Sequence, residues 1–472
     1  MPQQIRTKQV ESLRGVRLAN RAPRSVWDII LKQEMESITP HNVQVQPRAE
    51  DDDDDSYPLV LPALVHPHIH LDKAFVHCAP EYSDLLPSTG TFQEALSFTS
   101  QAKARFTLPD LLRRGGWLIA ESVAAGVTAM RGFVEVDSVV KKTCLEAGIK
   151  LKEEWRDICH IQLVCFAQDP IFSGGEHGEE NRKLMEDAIR DAAIDVIGTT
   201  PYVESSIEAA KRNIEWTIER AWELGKHVDF HLDYNLGRDR EPLVWHVLRT
   251  LKAKGWTASQ CRGKKVMLGH CTRLTLFSDE EWSRLADEIR ANNLPVSFVG
   301  LPTSDLYMAA HPDGSHSHAR GTLQVLDMIR KHGLDAVIGV NNVGNAFTPW
   351  GSPDPLSLAC LGVGIYQHGT QADTEMLYEC ISTRARAAIG LADSISDLGL
   401  TTGNVADLLV LSPNLDQTGL GTPRARRTVA EVVWDPPACS SRDIISGGRL
   451  ILKNRLANRA VSASENIIVD SM

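Results

Sequence analysis

The segment HPHIHLDKAF, residues 66–75, places histidines at alternate positions of an otherwise largely apolar stretch. His68 and His70 are two residues apart, so on an extended strand their imidazoles point to the same side and can bind one metal ion. His66 lies beyond the intervening proline, and we interpret it as a structural residue. The segment therefore predicts half of a metal site.

Further polar residues end later segments that have the character of strands. His231 closes HVDFH, His270 closes VMLGH, and Asn341 and Asn342 follow AVIGV. Singly, each histidine is explained more simply as a hydrogen-bonded core or loop residue. Together with the His-x-His pair they have the spacing of one mononuclear site, and imidazole ligands suit Zn²⁺ or Fe²⁺ without deciding between them.

Short apolar segments alternate with longer helical patterns from about residue 59 to about residue 390. The segments are apolar or β-branched throughout, which is typical of strands that are buried on both faces. They are LVLPALV (59–65), GVTAMRGFV (126–134), IQLVCFA (161–167), IDVIG (194–198), HVDFHLD (227–233), KVMLGH (265–270), LPVSFVG (294–300) and DAVIGV (335–340). This order predicts an α/β protein with a parallel (β/α)8 TIM barrel, whose sites form at the C-terminal ends of the strands. A doubly wound open sheet is the alternative.

The two ends of the chain predict a small β-rich domain outside the barrel. They contain the strand-like pieces GVRLAN, NVQVQ, ADLLVL and AEVVWD. We therefore predict that residues 1–58 and 396–472 form the two parts of a composite β domain, and that residues 59–395 form the barrel.

Composition limits the class of protein. The chain has 472 residues, of which 43% are hydrophobic and 24% charged, and a net charge of −11. This charge argues against a nucleic-acid partner or an anionic membrane surface, and no apolar run approaches the roughly 18 residues of a membrane span. The polar N-terminus lacks the apolar core of a signal peptide, and the 9 cysteines are scattered without a CxxC pair. We expect a cytoplasmic protein with reduced thiols, and the composition leaves assembly into a homo-oligomer open.

The segment LVLPALVHPHIHLDKAF resembles the opening strand of the metal-dependent amidohydrolase superfamily, most closely its cytosine deaminase-like branch. Later segments are similar to that branch in the same order along the chain, namely LVCFAQDPI, DVIGTTPYVESS, HVDFHLD, VMLGHCT, TPWGSPDPL and GNVADLLVL. The resemblance covers nearly the whole chain. It implies a hydrolase of carbon–nitrogen bonds that acts on a small heterocyclic substrate, by deamination or by opening of a cyclic amide.

The resemblance also implies the roles of the histidines. His68, His70 and His231 are implied as ligands of one divalent ion, zinc or iron. His270 is implied to orient the activated water or to polarise the scissile group.

Substrate-binding roles are implied for a second set of residues. Gln168 would hydrogen-bond a cyclic amide or pyrimidine-like ring, and Trp350 would help to wall the pocket. Lys73 belongs to a His-Leu-Asp-Lys variant of the first motif and would pair with an anionic substrate group, although a salt bridge with a carboxylate such as Glu204 explains it equally well. Asn342 is a further candidate for contact with the substrate.

Two positions depart from the family pattern. Asn341 stands where the family has an aspartate that binds the metal and takes a proton from its water, and Tyr234 stands where the deaminase branch has a proton-shuttling glutamate. An amide oxygen can coordinate a metal, but it carries no charge and accepts no proton at neutral pH. General base catalysis contributes about 10²–10⁴-fold. We therefore expect ordinary hydrolytic deamination to be strongly suppressed, and the metal ion to be weakly bound or absent.

Asp233 and Tyr234 are the candidates for the missing proton transfer. We favour Asp233 as a hydrogen-bond partner of a histidine over Asp233 as a replacement base. Tyr234 could serve as an acid. The alternatives to a hydrolase are therefore a diverged protein of the same fold with non-hydrolytic chemistry (isomerisation, cyclisation or elimination) and a non-catalytic binding protein.

Overall fold

The computed structural model describes residues 7–22, 25–41, 57–309, 321–392, 397–412, 420, 422, 424–452 and 468–470. Its strands are β1 (Lys8–Leu18), β2 (Trp27–Leu31), β3 (Met35–Pro40), β4 (Leu59–Pro62), β5 (Leu64–His70), β6 (Val127–Glu135), β7 (His160–Ala167), β8 (Val196–Thr199), β9 (His227–Leu232), β10 (Val266–His270), β11 (Val296–Gly300), β12 (Ala336–Ile338), β13 (Leu408–Leu411), β14 (Arg442–Ser446), β15 (Arg449–Leu452) and β16 (Ile468–Asp470). Its helices are α1 (Phe92–Lys103), α2 (Leu108–Ala125), α3 (Thr143–Glu154), α4 (Glu176–Ala188), α5 (Ile207–Leu224), α6 (Val244–Lys254), α7 (Asp279–Ala291), α8 (Pro302–Met308), α9 (Val325–His332), α10 (Pro355–Tyr366), α11 (Gln371–Cys380), α12 (Thr383–Ala388) and α13 (Val429–Trp434).

Strands β5 to β12 form an 8-stranded parallel sheet in chain order. A parallel bridge joins Ile69 on β5 to Asn341 just beyond β12, and the backbone N–H of His70 donates to the carbonyl oxygen of Asn341 across 2.9 Å. The first and last strands therefore meet and close the sheet. The predicted (β/α)8 TIM barrel is confirmed, and the open sheet is excluded.

Helix α5 illustrates how the sequence sets the barrel helices. The side chain of Ser206 accepts a hydrogen bond from the backbone N–H of Ala209 and caps the helix, and Gly225 ends it in the left-handed conformation that glycine adopts without strain. Ile214 and Ile218 recur at helical spacing and are buried. This buried stripe packs against the barrel strands and fixes the position of β9, which follows directly.

The second 8-stranded sheet is assembled from both ends of the chain, as the sequence predicted. Its strands run in the order β15-β14-β13-β4-β1-β2-β3, with β16 paired to β1. GVRLAN contributes to β1 and ADLLVL to β13, whereas NVQVQ lies outside the described residues. The domain limits at residues 58 and 395 stay predictions.

The structure differs from the sequence reading at two segments. LVLPALV does not form one strand, because Leu59–Pro62 is β4 of the terminal sheet and β5 of the barrel begins at Leu64. The change of sheet follows Pro62, which has no N–H to donate to a ladder. AEVVWD belongs to helix α13 instead of a strand, since the side chain of Thr428 caps this segment and its valines are buried at helical spacing.

None of the helices that the structure describes combines the length and apolar character needed to cross a membrane.

Candidate metal centre

Three histidines converge at the C-terminal end of the barrel. β5 supplies His68 and His70, and β9 supplies His231, all of them buried. The Nε2 atom of His231 lies 3.2 Å from Nε2 of His68 and 3.1 Å from Nε2 of His70. Nitrogen ligands at about 2.0–2.1 Å from a tetrahedral ion lie about 3.3 Å apart. The three nitrogens are therefore spaced as ligands of a single ion.

The environment favours the neutral form of these histidines. Burial lowers the pKa of His68, and burial together with nearby positive groups holds the pKa of His70 and His231 well below the usual range. Neutral imidazole is the form that binds a metal. Nδ1 of His68 lies 3.5 Å from Oδ1 of Asp229, whose other oxygen pairs with Arg131 across 3.0 Å. The carboxylate therefore lies beside the ligand histidine, at a distance longer than a hydrogen bond.

The side-chain amide of Asn341 brings one more oxygen to the same place. Asn341 has a φ of 66° and lines the pocket beside the histidines. Its Nδ2 donates a hydrogen bond to Oγ of Ser304 across 2.7 Å, whereas its Oδ1 is buried with no partner among the described residues. A buried acceptor without a donor indicates a missing partner, and a cation fits an amide oxygen. The donor set of three imidazoles and one amide oxygen therefore fits a divalent ion.

A narrow cavity opens beside the histidines. Its lining residues are His70, Lys73, Phe92, Gln168, Tyr202, His231, Tyr234, His270, Ser304, Asn341, Asn342 and Phe347. The ring of Tyr234 packs against His270 with a centroid distance of 4.2 Å, against Tyr202 at 5.6 Å and against Phe92 at 5.8 Å. Aromatic walls with a few convergent polar groups suit a small planar ligand. None of these lining residues carries a carboxylate.

Behind the cavity, His270 is held by a carboxylate that the sequence analysis did not single out. Nδ1 of His270 lies 2.8 Å from Oδ1 of Asp305, which is fully buried. Burial raises the pKa of Asp305, and the hydrogen bond from His270 opposes that shift. Its position in the sequence could have identified it, because Asp305 lies in the first turn of α8, just beyond the C-terminal end of β11.

Lys73, which also lines the cavity, forms a buried ion pair. Its Nζ lies 2.6 Å from Oε1 of Glu135 and donates to Oε1 of Gln168 across 3.1 Å. Lys103 pairs with the other oxygen of Glu135 across 2.6 Å. Burial alone would raise the pKa of Glu135, but the two lysines lower it to about 2. Glu204, the partner considered from the sequence, instead accepts hydrogen bonds from backbone N–H groups that follow β7.

Comparison with known proteins identifies the fold. No family model matches the chain. N-isopropylammelide isopropyl amidohydrolase from Pseudomonas sp. (strain ADP) is 22% identical over 441 residues, which are 92% of this chain and 95% of that protein. The solved structure of 5-methylcytosine deaminase from Klebsiella pneumoniae, liganded with 5-fluorocytosine, is similar with a TM-score of 0.76 and 23% identity, covering 96% of this chain and 99% of that one. The chain has the amidohydrolase fold.

Atrazine chlorohydrolase from Arthrobacter aurescens TC1, solved with zinc, is similar with a TM-score of 0.62 and 15% identity, covering 94% of this chain and 95% of that one. The resemblance to the amidohydrolase superfamily is thereby confirmed at the level of the fold.

Three predicted site residues are not part of the cavity lining, namely His68, Asp233 and Trp350, although His68 still converges with His70 and His231. Asp233 accepts hydrogen bonds from the backbone N–H groups of residues 243 and 244 at the start of α6, and burial raises its pKa to about 7. The structure thus places Asp229, rather than Asp233, beside a ligand histidine. Trp350 is 42% exposed and away from the described lining. Asn342 does line the cavity, but its Oδ1 already accepts a hydrogen bond from Asn345.

Proposed function

We propose that the protein is a metal-dependent hydrolase that cleaves a carbon–nitrogen bond in a small heterocyclic substrate. The observation that carries this proposal is the convergence of Nε2 atoms from His68, His70 and His231 within 4.8 Å beside an aromatic-walled cavity. The similar proteins agree with it, since one is an amidohydrolase and another a deaminase.

The ion would be one zinc or iron, held by the three histidines and the side-chain oxygen of Asn341. Such an ion supplies Lewis-acid activation of water near neutral pH. All four donors are neutral, so the site lacks the attraction of an anionic ligand. We therefore expect an affinity lower than that of a site with one carboxylate.

The remaining polar residues would bind and orient the substrate. Lys73 donates to Oε1 of Gln168, which leaves the amide nitrogen of Gln168 to donate to a ring carbonyl. The rings of Tyr234 and Phe92 would pack against a planar heterocycle. His270 would contact the water or the scissile group from the other side.

One observation favours a second function. The described lining contains no carboxylate, and burial holds the pKa of Tyr234 well above its usual range, so this phenol donates a hydrogen bond and does not act as a base near neutral pH. An isomerisation, cyclisation or elimination needs no attacking water. A related heterocycle would then bind in the same cavity and undergo a non-hydrolytic reaction there.

A substrate panel separates the two. The metal-loaded protein is incubated with aminopyrimidines, aminotriazines and cyclic amides, and products are followed by mass spectrometry and by an assay for released ammonia or amine. Hydrolysis predicts a mass change with release of ammonia or amine, or the addition of water on ring opening, and its loss in His231→Ala. A product that gains no oxygen from water, either of unchanged mass or lighter by the eliminated fragment, supports the second function. An unreacted panel with the metal bound contradicts hydrolysis of these substrate classes.

A further inference from the structure

Asp305 is a fully buried carboxylate with three hydrogen-bond donors directed at it. Its Oδ1 faces Nδ1 of His270 at 2.8 Å. Its Oδ2 accepts from the backbone N–H of Leu301 across 3.2 Å and from the hydroxyl of Thr322 across 3.1 Å. Three donors around one side chain indicate the ionised form, which is an acceptor only.

An ionised Asp305 decides which nitrogen of His270 carries the proton. Neutral imidazole has one N–H and one lone pair, and the carboxylate can only accept, so the hydrogen lies on Nδ1. The lone pair then lies on Nε2, on the ring edge opposite Asp305. The ring is held in this orientation by the contact of its Nδ1 with Asp305 at 2.8 Å and by Tyr234, which packs against it with a centroid distance of 4.2 Å.

We propose that Asp305 is a positioning residue that fixes His270 as the Nδ1–H tautomer, so that Nε2 accepts a hydrogen bond from a donor in the cavity. This deepens the proposed function and rests on it for the identity of the donor, a water molecule or a substrate N–H. It decides between the two roles that the family resemblance leaves open for His270. His270 therefore orients a donor in the cavity and does not polarise the scissile group by donating a hydrogen bond to it.

The variant Asp305→Asn should reverse the tautomer, and the surroundings explain why. The backbone N–H of Leu301 is fixed, so the amide oxygen of the new asparagine must take the place of Oδ2 to accept it. The amide nitrogen is then directed at Nδ1 of His270 and donates to it, which moves the imidazole hydrogen to Nε2. Thr322→Val is the matched control, because it removes a donor to the same carboxylate but leaves the contact with His270 in place.

The tautomer is read by ¹⁵N NMR of the full chain labelled at histidine ring nitrogens, with and without Zn²⁺, and His270→Gln assigns the signal. We expect an unprotonated Nε2 in the unchanged protein and in Thr322→Val, and a protonated Nε2 in Asp305→Asn. A protonated Nε2 in the unchanged protein overturns the proposal even where Asp305→Asn fails to fold. A tautomer that is the same in Asp305→Asn as in the unchanged protein also overturns it.

Kinetics separate this proposal from the proposed function. On a substrate from the panel, Asp305→Asn should lower kcat by about 10²-fold or more with a smaller change in KM, as the loss of a correctly oriented proton acceptor does. Thr322→Val should stay within about tenfold of the unchanged protein. If no substrate is turned over but the tautomers are as expected, the hydrolase proposal fails and the role of Asp305 stands. On a substrate that the unchanged protein turns over, equal kcat in Asp305→Asn and Thr322→Val contradicts the role of Asp305.

Discussion

Asn341 donates its side-chain N–H to the hydroxyl oxygen of Ser304 across 2.7 Å, at the point where the first and last strands of the barrel meet. This hydrogen bond fixes Nδ2 on the side of Ser304 and leaves Oδ1 buried beside the three histidines without a described partner. A neutral oxygen therefore stands where the family pattern has a carboxylate. The chemistry of the site depends on this replacement of a carboxylate by the amide of Asn341.

We expect Asn341→Asp to bind Zn²⁺ more tightly. The substitution adds an anionic ligand, and the hydroxyl of Ser304 can rotate to donate to it. The gain should be at least tenfold, or about 1.4 kcal/mol, measured by competition with a chelator of known affinity. Asn342→Asp is the matched control, because the oxygen of Asn342 already accepts a hydrogen bond from Asn345. Equal zinc affinity in the two variants would contradict a ligand role for residue 341.

We expect Glu135→Gln to destabilise the fold. The substitution removes the carboxylate that pairs with the buried Lys73. Lys103 keeps its ion pairs with Asp137 and Asp169. A buried charge that loses its partner costs about 3–5 kcal/mol. Urea denaturation measures the free energy of unfolding.

The control for this substitution is an exposed ion pair. Lys141 pairs with Glu180 on the surface, where both side chains are about half exposed. Lys141→Met should therefore change the free energy of unfolding by less than about 1 kcal/mol. If Glu135→Gln costs no more than this exposed substitution, the buried network does not stabilise the barrel.

We expect the fold to lose stability as the pH falls from 7 to 5, in part through His227. Nδ1 of His227 accepts a hydrogen bond from the backbone N–H of Lys265 across 3.0 Å, and burial, aided by Arg131 and nearby lysines, lowers its pKa to about 2. The unfolded chain takes up the proton near pH 6.5 and the folded chain does not, so the stability is complete above that pH and is lost below it. The loss between pH 7 and pH 5 is about 2 kcal/mol for this group.

The variant His227→Asn tests this assignment, because its amide oxygen can accept the same N–H but does not titrate in this range. Urea titrations at pH 7 and pH 5 should show a smaller pH dependence in the variant than in the unchanged protein. An identical dependence would show that His227 is not responsible.

Much of the fold and of the metal centre could be predicted from the pattern of strands in the sequence. The alternation of side chains along a strand placed His68 and His70 on one side, and the barrel order placed the ends of β9 and β10 near them. The helix α13 was misread because its valines favour strands in general, whereas here a capped turn and burial of a helical face decide.

The partners of the charged residues could not be predicted in the same way. Glu135 ends a buried strand, and Asp229 lies within one, so both could have been noticed as charges in apolar segments. Their contacts with Lys103 and Arg131 join distant parts of the chain, and periodicity does not identify which side chains meet. Asp305 lies in a short helix that the strand pattern did not include.

The metal content of the full chain tests the central claim most directly. The protein is purified without chelator, loaded with Zn²⁺, freed of unbound metal, and measured for zinc per chain. We predict one ion per chain in the unchanged protein and in His270→Gln, and loss of the ion in His231→Ala, because His231 is the ligand shared by both close nitrogen contacts. No bound zinc in the unchanged protein, or an equal content in His231→Ala, would contradict the metal centre and with it the proposed hydrolysis.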